Sequence, residues 1–134
     1  MVEQPVPIDH AALTVLVADD DPDCRNVHGR MVSAMGYTVL TASNGIEAVE
    51  LARRTKPHAV LMDLSMPHLG GRRAVMAICS DPDTRDIPVI AISGGVAPQD
   101  IESLKAMGFF EVLHKPVRME AIVDALRRVR ERSS

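Results

Sequence analysis

The sequence predicts one α/β domain with a five-stranded parallel sheet and helices on both of its faces. The 134 residues are one domain's worth, and 46% of them are hydrophobic, which is enough for a core at this size. Five short apolar runs alternate with helix-length amphipathic segments, as repeated βα units do. Four of the five runs are apolar enough for burial on both faces, which is typical of strands in a parallel sheet.

The five apolar runs are the predicted strands. We place them at residues 14–18, 37–42, 59–63, 88–93 and 110–114. The run at 37–42 alternates apolar and polar residues, which favours a strand at the edge of the sheet. The other four indicate strands that are covered on both faces.

The first helix is predicted from a start signal and a spacing. Asp21 stands directly before Pro22, and an Asp N-cap followed by proline is a common helix start. Val27, Met31 and Ala34 follow at i, i+4 and i+7, so we expect them to form the buried face of this helix.

Four more helices follow from the same kinds of signal. Asn44 can cap the second helix, which runs toward Pro57. Residues 72–80, 98–107 and 118–130 have helical spacing and make the third, fourth and fifth helices.

The folded domain is expected to span residues 13–131. Residues 1–12 contain two prolines and little periodicity, so we predict a mobile N-terminal lead-in, with residues 132–134 as a C-terminal tail. No apolar run approaches the length of a membrane span, and the first ten residues lack a signal-peptide pattern. Cys24 and Cys79 lack metal-ligand spacing and are interpreted as reduced thiols. We therefore expect a cytoplasmic protein without a membrane partner.

The charge pattern gives little reason to expect nucleic acid as a direct partner. The formal net charge is −3, which provides no broad basic surface. The arginines near the C-terminus stand at the end of a predicted helix, where cations are favoured by the helix dipole. The five histidines lack the paired spacing of a zinc site and are expected at the surface or in packing. They are His10, His28, His58, His68 and His114.

Polar residues close four of the five predicted strands. Asp19 and Asp20 follow the first strand, Asp63 ends the third, Ser93 ends the fourth, and Lys115 follows the fifth. In an open α/β sheet, ligands gather outside the carboxyl ends of the strands. One Asp after a strand is most often a turn residue, so the interpretation rests on the set. Three carboxylates, a hydroxyl and an ammonium are predicted to meet at one edge of the sheet.

That set of residues indicates phosphoryl chemistry with a metal. Crowded carboxylates raise one another's pKa unless a cation neutralises them, and Mg²⁺ suits an open site of oxygen ligands. Lys115 and Ser93 can meet the oxygens of a phosphoryl group. We predict phosphoryl transfer onto Asp63, which stands alone on the central run, with Asp19 and Asp20 holding the metal.

Four motifs in order resemble the receiver domain of two-component response regulators. They are "VADDDP", "VLMDLSMP", "VIAISGG" and "VLHKPV", and the resemblance covers about residues 13–131. It implies a flavodoxin-like receiver fold with sheet order 2-1-3-4-5 and a cis peptide bond between Lys115 and Pro116.

The resemblance also implies a role for each site residue. Asp63 corresponds to the phosphoacceptor, and Asp20, Asp63 and the backbone carbonyl of Ser65 correspond to direct Mg²⁺ ligands, with Asp19 acting largely through water. Ser93 corresponds to the switch hydroxyl and Lys115 to the lysine that contacts the phosphoryl oxygens.

The chain departs from the family pattern at two places. Gly70 stands where an acidic residue usually caps the third helix, which predicts a weaker start for that helix. Val112 stands where the family usually has Tyr or Phe, so the usual aromatic switch residue is absent from that position, and Phe109 or Phe110 is its candidate replacement.

The predicted function is that of a stand-alone receiver, which is not a dedicated enzyme. It takes a phosphoryl group from a sensor histidine kinase or a histidine phosphotransfer protein and signals by contact with a downstream effector protein. One alternative is a small Mg²⁺-dependent phosphohydrolase that acts through an aspartyl-phosphate. It is disfavoured because no second Asp stands two residues after Asp63, as haloacid-dehalogenase-type phosphatases have. Another is a pseudo-receiver that only binds proteins, which the intact acidic set disfavours.

Overall fold

The structure is a computed structural model that describes residues 13–64, 66, 70–95 and 98–133. The predicted lead-in at 1–12 therefore lies outside the described residues. The described residues form five strands: β1 (Thr14–Ala18), β2 (Thr38–Ala42), β3 (Ala59–Asp63), β4 (Val89–Ser93) and β5 (Phe109–His114). They also form five α-helices: α1 (Pro22–Ala34), α2 (Gly45–Thr55), α3 (Gly71–Ser80), α4 (Ile101–Met107) and α5 (Met119–Ser133).

The strands form one parallel sheet in the order β2-β1-β3-β4-β5. The predicted fold class and strand order are confirmed. β2 is an edge strand, as its alternation predicts, and β3 and β4 are buried along their whole length. β5 is less covered than its apolar run predicts, because it forms the other edge of the sheet. Phe110 and Glu111 are half-buried there, and His114 is exposed.

Alternate side chains of each strand point to two separate apolar layers. Leu16 and Met62 lie in the first layer, which packs against α2, α3 and α4. Val17 and Leu61 lie in the second layer, which packs against α1 and α5. Residues one apart along a strand face opposite sides of the sheet, so each strand contributes to both layers. The expected helices on both faces are confirmed.

The buried face of α1 differs from the prediction by one residue. Val27 is 50% exposed and Ala34 is exposed, whereas His28 and Val32 are buried. His28 and Val32 are spaced at i and i+4, so they form a helix face as regular as the one that was predicted. Apolar periodicity favoured Val27 because a histidine occupies the first buried position.

The helix caps explain most of the observed boundaries. Asp21 caps α1 by accepting a hydrogen bond from the backbone N–H of Asp23 at 3.0 Å, and Asn44 caps α2 in the same way from Glu47 at 2.9 Å. Gly70 precedes α3 and makes no side-chain cap.

The fourth and fifth helices differ in extent from the prediction. The first three residues predicted for the fourth helix form a 3₁₀ turn, Pro98–Asp100, and α5 extends to Ser133. None of the helices in the described ranges combines the length and apolarity that crossing a membrane requires.

Candidate functional site

The carboxyl ends of the strands bring three carboxylates together. Asp19 follows β1 directly, Asp20 is next in the chain, and Asp63 is the last residue of β3, the strand beside β1. One carboxylate oxygen from each of the three lies within 4.8 Å of the others. Asp19 and Asp63 are buried and Asp20 is exposed, so the cluster opens to solvent on one side.

Lys115 is the cation that faces this cluster. Its Nζ lies 3.6 Å from Oδ2 of Asp63 and 3.9 Å from Oδ2 of Asp19. Partial burial acts to lower the pKa of Lys115, but the carboxylates of Asp63 and Asp19 outweigh that effect and raise it. The side chain therefore carries a full positive charge beside the acidic cluster at neutral pH. The cis peptide bond between Lys115 and Pro116 that the resemblance implies is present.

The carboxylate of Asp19 is buried, which disfavours its charged form. Burial, with help from the nearby carboxylate of Asp63, raises its pKa to about 6, although the backbone N–H of Asp21 and the ammonium of Lys115 act in the opposite direction. Its Oδ1 accepts the Asp21 N–H at 3.0 Å, whereas its buried Oδ2 has no hydrogen-bond partner among the described residues. An unpartnered buried oxygen beside two further carboxylates fits a small divalent cation with oxygen ligands.

Ser93 ends β4, and its backbone carbonyl accepts the Lys115 N–H at 2.9 Å. This bond ties the serine to the loop that carries the lysine. The Ser93 hydroxyl oxygen accepts the N–H of Gly95 at 3.2 Å, and that bond does not use the hydroxyl proton. Ser93 can therefore donate a hydrogen bond at this edge of the sheet.

The predicted carbonyl ligand from Ser65 cannot be placed in the same way. Ser65 lies outside the described residues, so its role stays a prediction. Its described neighbours Leu64 and Met66 are both buried.

Gly71 determines how closely α3 approaches the end of β3. A Cβ atom at Gly71 would lie 2.6 Å from the carbonyl oxygen of Asp63 and 2.8 Å from Cα of Leu64. Both are backbone atoms that no side-chain rotation can move away. The glycine therefore allows the start of α3 to pack directly against the residue that carries the central carboxylate.

Two further residues contact the site and were not predicted. Arg25 on α1 donates a hydrogen bond from Nη1 to the backbone carbonyl of Asp19 at 2.8 Å. His28, one turn later, is buried with its Nδ1 4.0 Å from Oδ2 of Asp19. The signal for His28 was its i, i+4 spacing to Val32, which marks the true buried face of the helix.

Val112, in place of the usual aromatic residue, is buried in the layer that packs against α2, α3 and α4. It pairs with Ala91 of β4. Phe109 is buried as well, and Phe110 is half-buried with the guanidinium carbon of Arg132 5.2 Å from its ring centroid. Both phenylalanines are thus already packed, in positions other than that of Val112.

The comparisons with known proteins agree on one family. Residues 15–127 match the response regulator receiver domain, a range that contains every predicted site residue. Protein PilH of Pseudomonas aeruginosa is 36% identical over 115 residues, which are 86% of this chain and 95% of PilH. The polar-differentiation response regulator DivK of Brucella anthropi is 26% identical over 114 residues, covering 85% of this chain and 93% of DivK.

A solved structure extends this similarity to three dimensions. It is the receiver domain of the sensor histidine kinase PA1611 from Pseudomonas aeruginosa, with a magnesium ion coordinated in its active-site cleft. It matches this fold with a TM-score of 0.80 and 30% identity, covering 87% of this chain and 95% of that one.

Proposed function

This chain belongs to the response regulator receiver domain family, and we propose that it accepts a phosphoryl group from a phosphohistidine onto Asp63 in the presence of Mg²⁺. The observation that carries the proposal is the cluster of three carboxylates with the ammonium of Lys115 3.6 Å from Asp63. The donor is a sensor histidine kinase or a histidine phosphotransfer protein, and a downstream effector protein reads the result.

Asp63, Lys115 and Ser93 have different roles in the phosphoryl transfer. A carboxylate oxygen of Asp63 forms a bond to phosphorus as the bond from phosphorus to the donor's imidazole nitrogen breaks. The imidazole leaves in its neutral form when its other ring nitrogen carries a proton. Lys115 offsets the charge on the phosphoryl oxygens, and the hydroxyl of Ser93 donates a hydrogen bond to one of them.

Asp19, Asp20 and Asp63 would hold the Mg²⁺ ion, with the backbone carbonyl of Ser65 as a further ligand. When bound, the ion supplies positive charge that lets the carboxylates and the phosphoryl oxygens lie close together. The buried and unpartnered Oδ2 of Asp19 supports this assignment.

In this function, residues 13–131 are the receiver domain, which acts in signalling and not as a dedicated enzyme. The protein works in the cytoplasm, without a membrane partner and without direct contact to nucleic acid. The free thiols of Cys24 and Cys79 support a reducing compartment.

The test is phosphorylation with a small phosphodonor such as phosphoramidate, which has the phosphorus–nitrogen bond of phosphohistidine. We expect one phosphoryl group per chain, dependent on Mg²⁺ and released by base as an acyl phosphate is. Asp63→Asn should abolish the label, and Asp20→Asn should weaken Mg²⁺ binding several-fold. Asp83→Asn is the matched control, because Asp83 lies in the turn after α3 and is exposed.

Three results would contradict the proposal. Equal labelling of the Asp63→Asn variant would remove Asp63 as the nucleophile. Steady phosphate release from many small phosphoesters would favour the phosphohydrolase alternative. Failure of the wild-type chain to bind Mg²⁺ or beryllofluoride, a phosphoryl mimic, would favour a module that only binds proteins.

A further inference from the structure

A buried histidine on α1, His28, lies next to Asp19 of the acidic cluster. His28 is 5% exposed, and Asp19, which it faces, is 1% exposed. The Nδ1 of His28 and the Oδ2 of Asp19 are 4.0 Å apart, and neither atom has a hydrogen-bond partner among the described residues. The two unpartnered polar atoms therefore face each other inside the protein.

The separation of these two buried atoms lowers the stability of the folded protein. A buried polar atom without a partner loses its hydration and gains nothing in return. A separation of 4.0 Å is too long for a hydrogen bond, but an approach of about 1 Å brings the two atoms into range. Neither atom has another hydrogen-bond partner among the described residues. The cationic group near Oδ2 is the ammonium of Lys115, at 3.9 Å.

The two oxygens of Asp19 are held differently. Oδ1 accepts the backbone N–H of Asp21 at 3.0 Å, which fixes that end of the carboxylate. The direction of Oδ2 then decides how the carboxylate faces a cation. Lys115 lies on one side of Oδ2 with its Nζ at 3.9 Å, and His28 lies at 4.0 Å. Of these two side chains, the imidazole is the more confined, because the side chain of His28 is 7% exposed and the side chain of Lys115 is 29% exposed.

His28 acts through Asp19 and not as a metal ligand itself. In the described part of the chain, the compact group of possible ligand atoms consists of the three carboxylates and does not include the histidine. Burial, with the ammonium of Lys115 as a smaller cause, lowers the pKa of His28 below its usual value. In its neutral form the ring carries one N–H, on Nδ1 or on Nε2.

We propose that His28 is a positioning residue of the acidic site, whose Nδ1–H donates a hydrogen bond to Oδ2 of Asp19 and orients that carboxylate toward the bound cation. This inference rests on the proposed Mg²⁺ site. Carboxylates that bind a metal are commonly held by such outer hydrogen bonds, and the loss of one lowers metal affinity about tenfold or more.

The first experiment is a Mg²⁺ titration of the whole chain, followed by calorimetry, with three variants. His28→Leu removes the donor but keeps a similar volume. His28→Asn keeps an N–H donor close to the position of Nδ1. His58→Asn is the control, because His58 precedes β3 at the opposite end of the sheet and accepts the Thr14 N–H through Nδ1, which an Asn oxygen can also do.

We expect His28→Leu to weaken Mg²⁺ binding about tenfold without lowering the free energy of unfolding. His28→Asn should stay within about twofold of the wild type, and His58→Asn should bind as the wild type does. Mg²⁺ binding by His28→Leu at the wild-type affinity would overturn the inference. If the wild type itself binds no Mg²⁺, the proposed function fails instead.

A second experiment needs neither a variant nor a metal. Long-range proton–nitrogen correlation spectra of the wild-type chain identify which imidazole nitrogen of His28 carries the proton. The inference requires the proton on Nδ1, and a proton on Nε2 overturns it. This measurement decides the question even if His28→Leu does not fold.

Discussion

Among single residues, Asp19 has a charge that works against folding. Its pKa of about 6 in the folded protein lies above the ordinary value of 3.8, chiefly because the carboxyl is buried. The folded state therefore holds an extra proton between these two values. The stability that this proton provides is fully present below about pH 4 and is lost as the pH rises through about 6.

Asp19→Asn should remove that loss of stability. Asparagine is neutral and keeps an oxygen for the Asp21 N–H. Without metal, we expect the variant to exceed the wild type in free energy of unfolding by about 3 kcal/mol at pH 7 and by less than about 1 kcal/mol at pH 4. Urea unfolding at several pH values in a chelator measures the difference. A difference that does not change with pH would contradict the assignment of the raised pKa to Asp19.

At the scale of elements, the junction of β3 and α3 depends on a residue without a side chain. Gly71→Ala would place a methyl group 2.6 Å from the Asp63 carbonyl oxygen, so α3 or the end of β3 must move. We expect a loss of about 2 kcal/mol in the free energy of unfolding and a clear fall in the rate of phosphorylation. Denaturant unfolding and phosphodonor labelling measure the two effects.

Gly29→Ala is the matched control for this prediction. Gly29 lies inside α1, and a Cβ there would meet only Cγ1 of Val39, at an ordinary contact distance of 3.6 Å. Alanine forms helices better than glycine does, so the free energy of unfolding of this variant should rise by up to about 1 kcal/mol. Its rate of phosphorylation should stay unchanged. Equal behaviour of the two variants would mean that the approach of α3 to Asp63 is not tight.

The elements were predictable where one physical signal dominated. Apolar runs of five or six residues located all five strands, and Asp21 and Asn44 marked the starts of α1 and α2 by their side-chain oxygens. The inward face of α1 was predicted one residue off because two faces one residue apart both have helical spacing. Met31 packs against the core as expected, whereas Val27 and Ala34 are exposed. Periodicity counts apolar residues, so it could not select the face that begins with His28.

The candidate site also has a part that the sequence predicted and a part that it did not. Strand ends in a parallel sheet share one edge, and this rule predicted that five residues lie together: Asp19, Asp20, Asp63, Ser93 and Lys115. Arg25 and His28 reach the site from the side of a helix, and their roles depend on the packing of α1 against the sheet. The i, i+4 spacing of His28 and Val32 is compatible with that packing, but an equally regular face lies one residue away, so the spacing alone does not select it.

At the scale of the whole molecule, strand order determines when the charges of the site meet. Residues 14–63 contain β1, β2 and β3, which are three adjacent strands of the sheet, and all three clustered carboxylates lie between Asp19 and Asp63. The facing cation, Lys115, follows the last strand. A chain that emerges from the ribosome can therefore assemble its negative charges before the residue that balances them exists.

If the cluster binds Mg²⁺ as proposed, this order of assembly predicts a kinetic role for the ion. If the first three strands form early in folding, the ion relieves their repulsion in the transition state, so it should speed refolding more than it slows unfolding. Stopped-flow refolding and unfolding with and without Mg²⁺ measure the two rates, and Asp20→Asn should reduce the effect. Slower unfolding with unchanged refolding would show that the cluster forms only after Lys115 is in place. In the expected case, Mg²⁺ would balance the clustered carboxylates of a growing chain at a stage of synthesis that precedes Lys115.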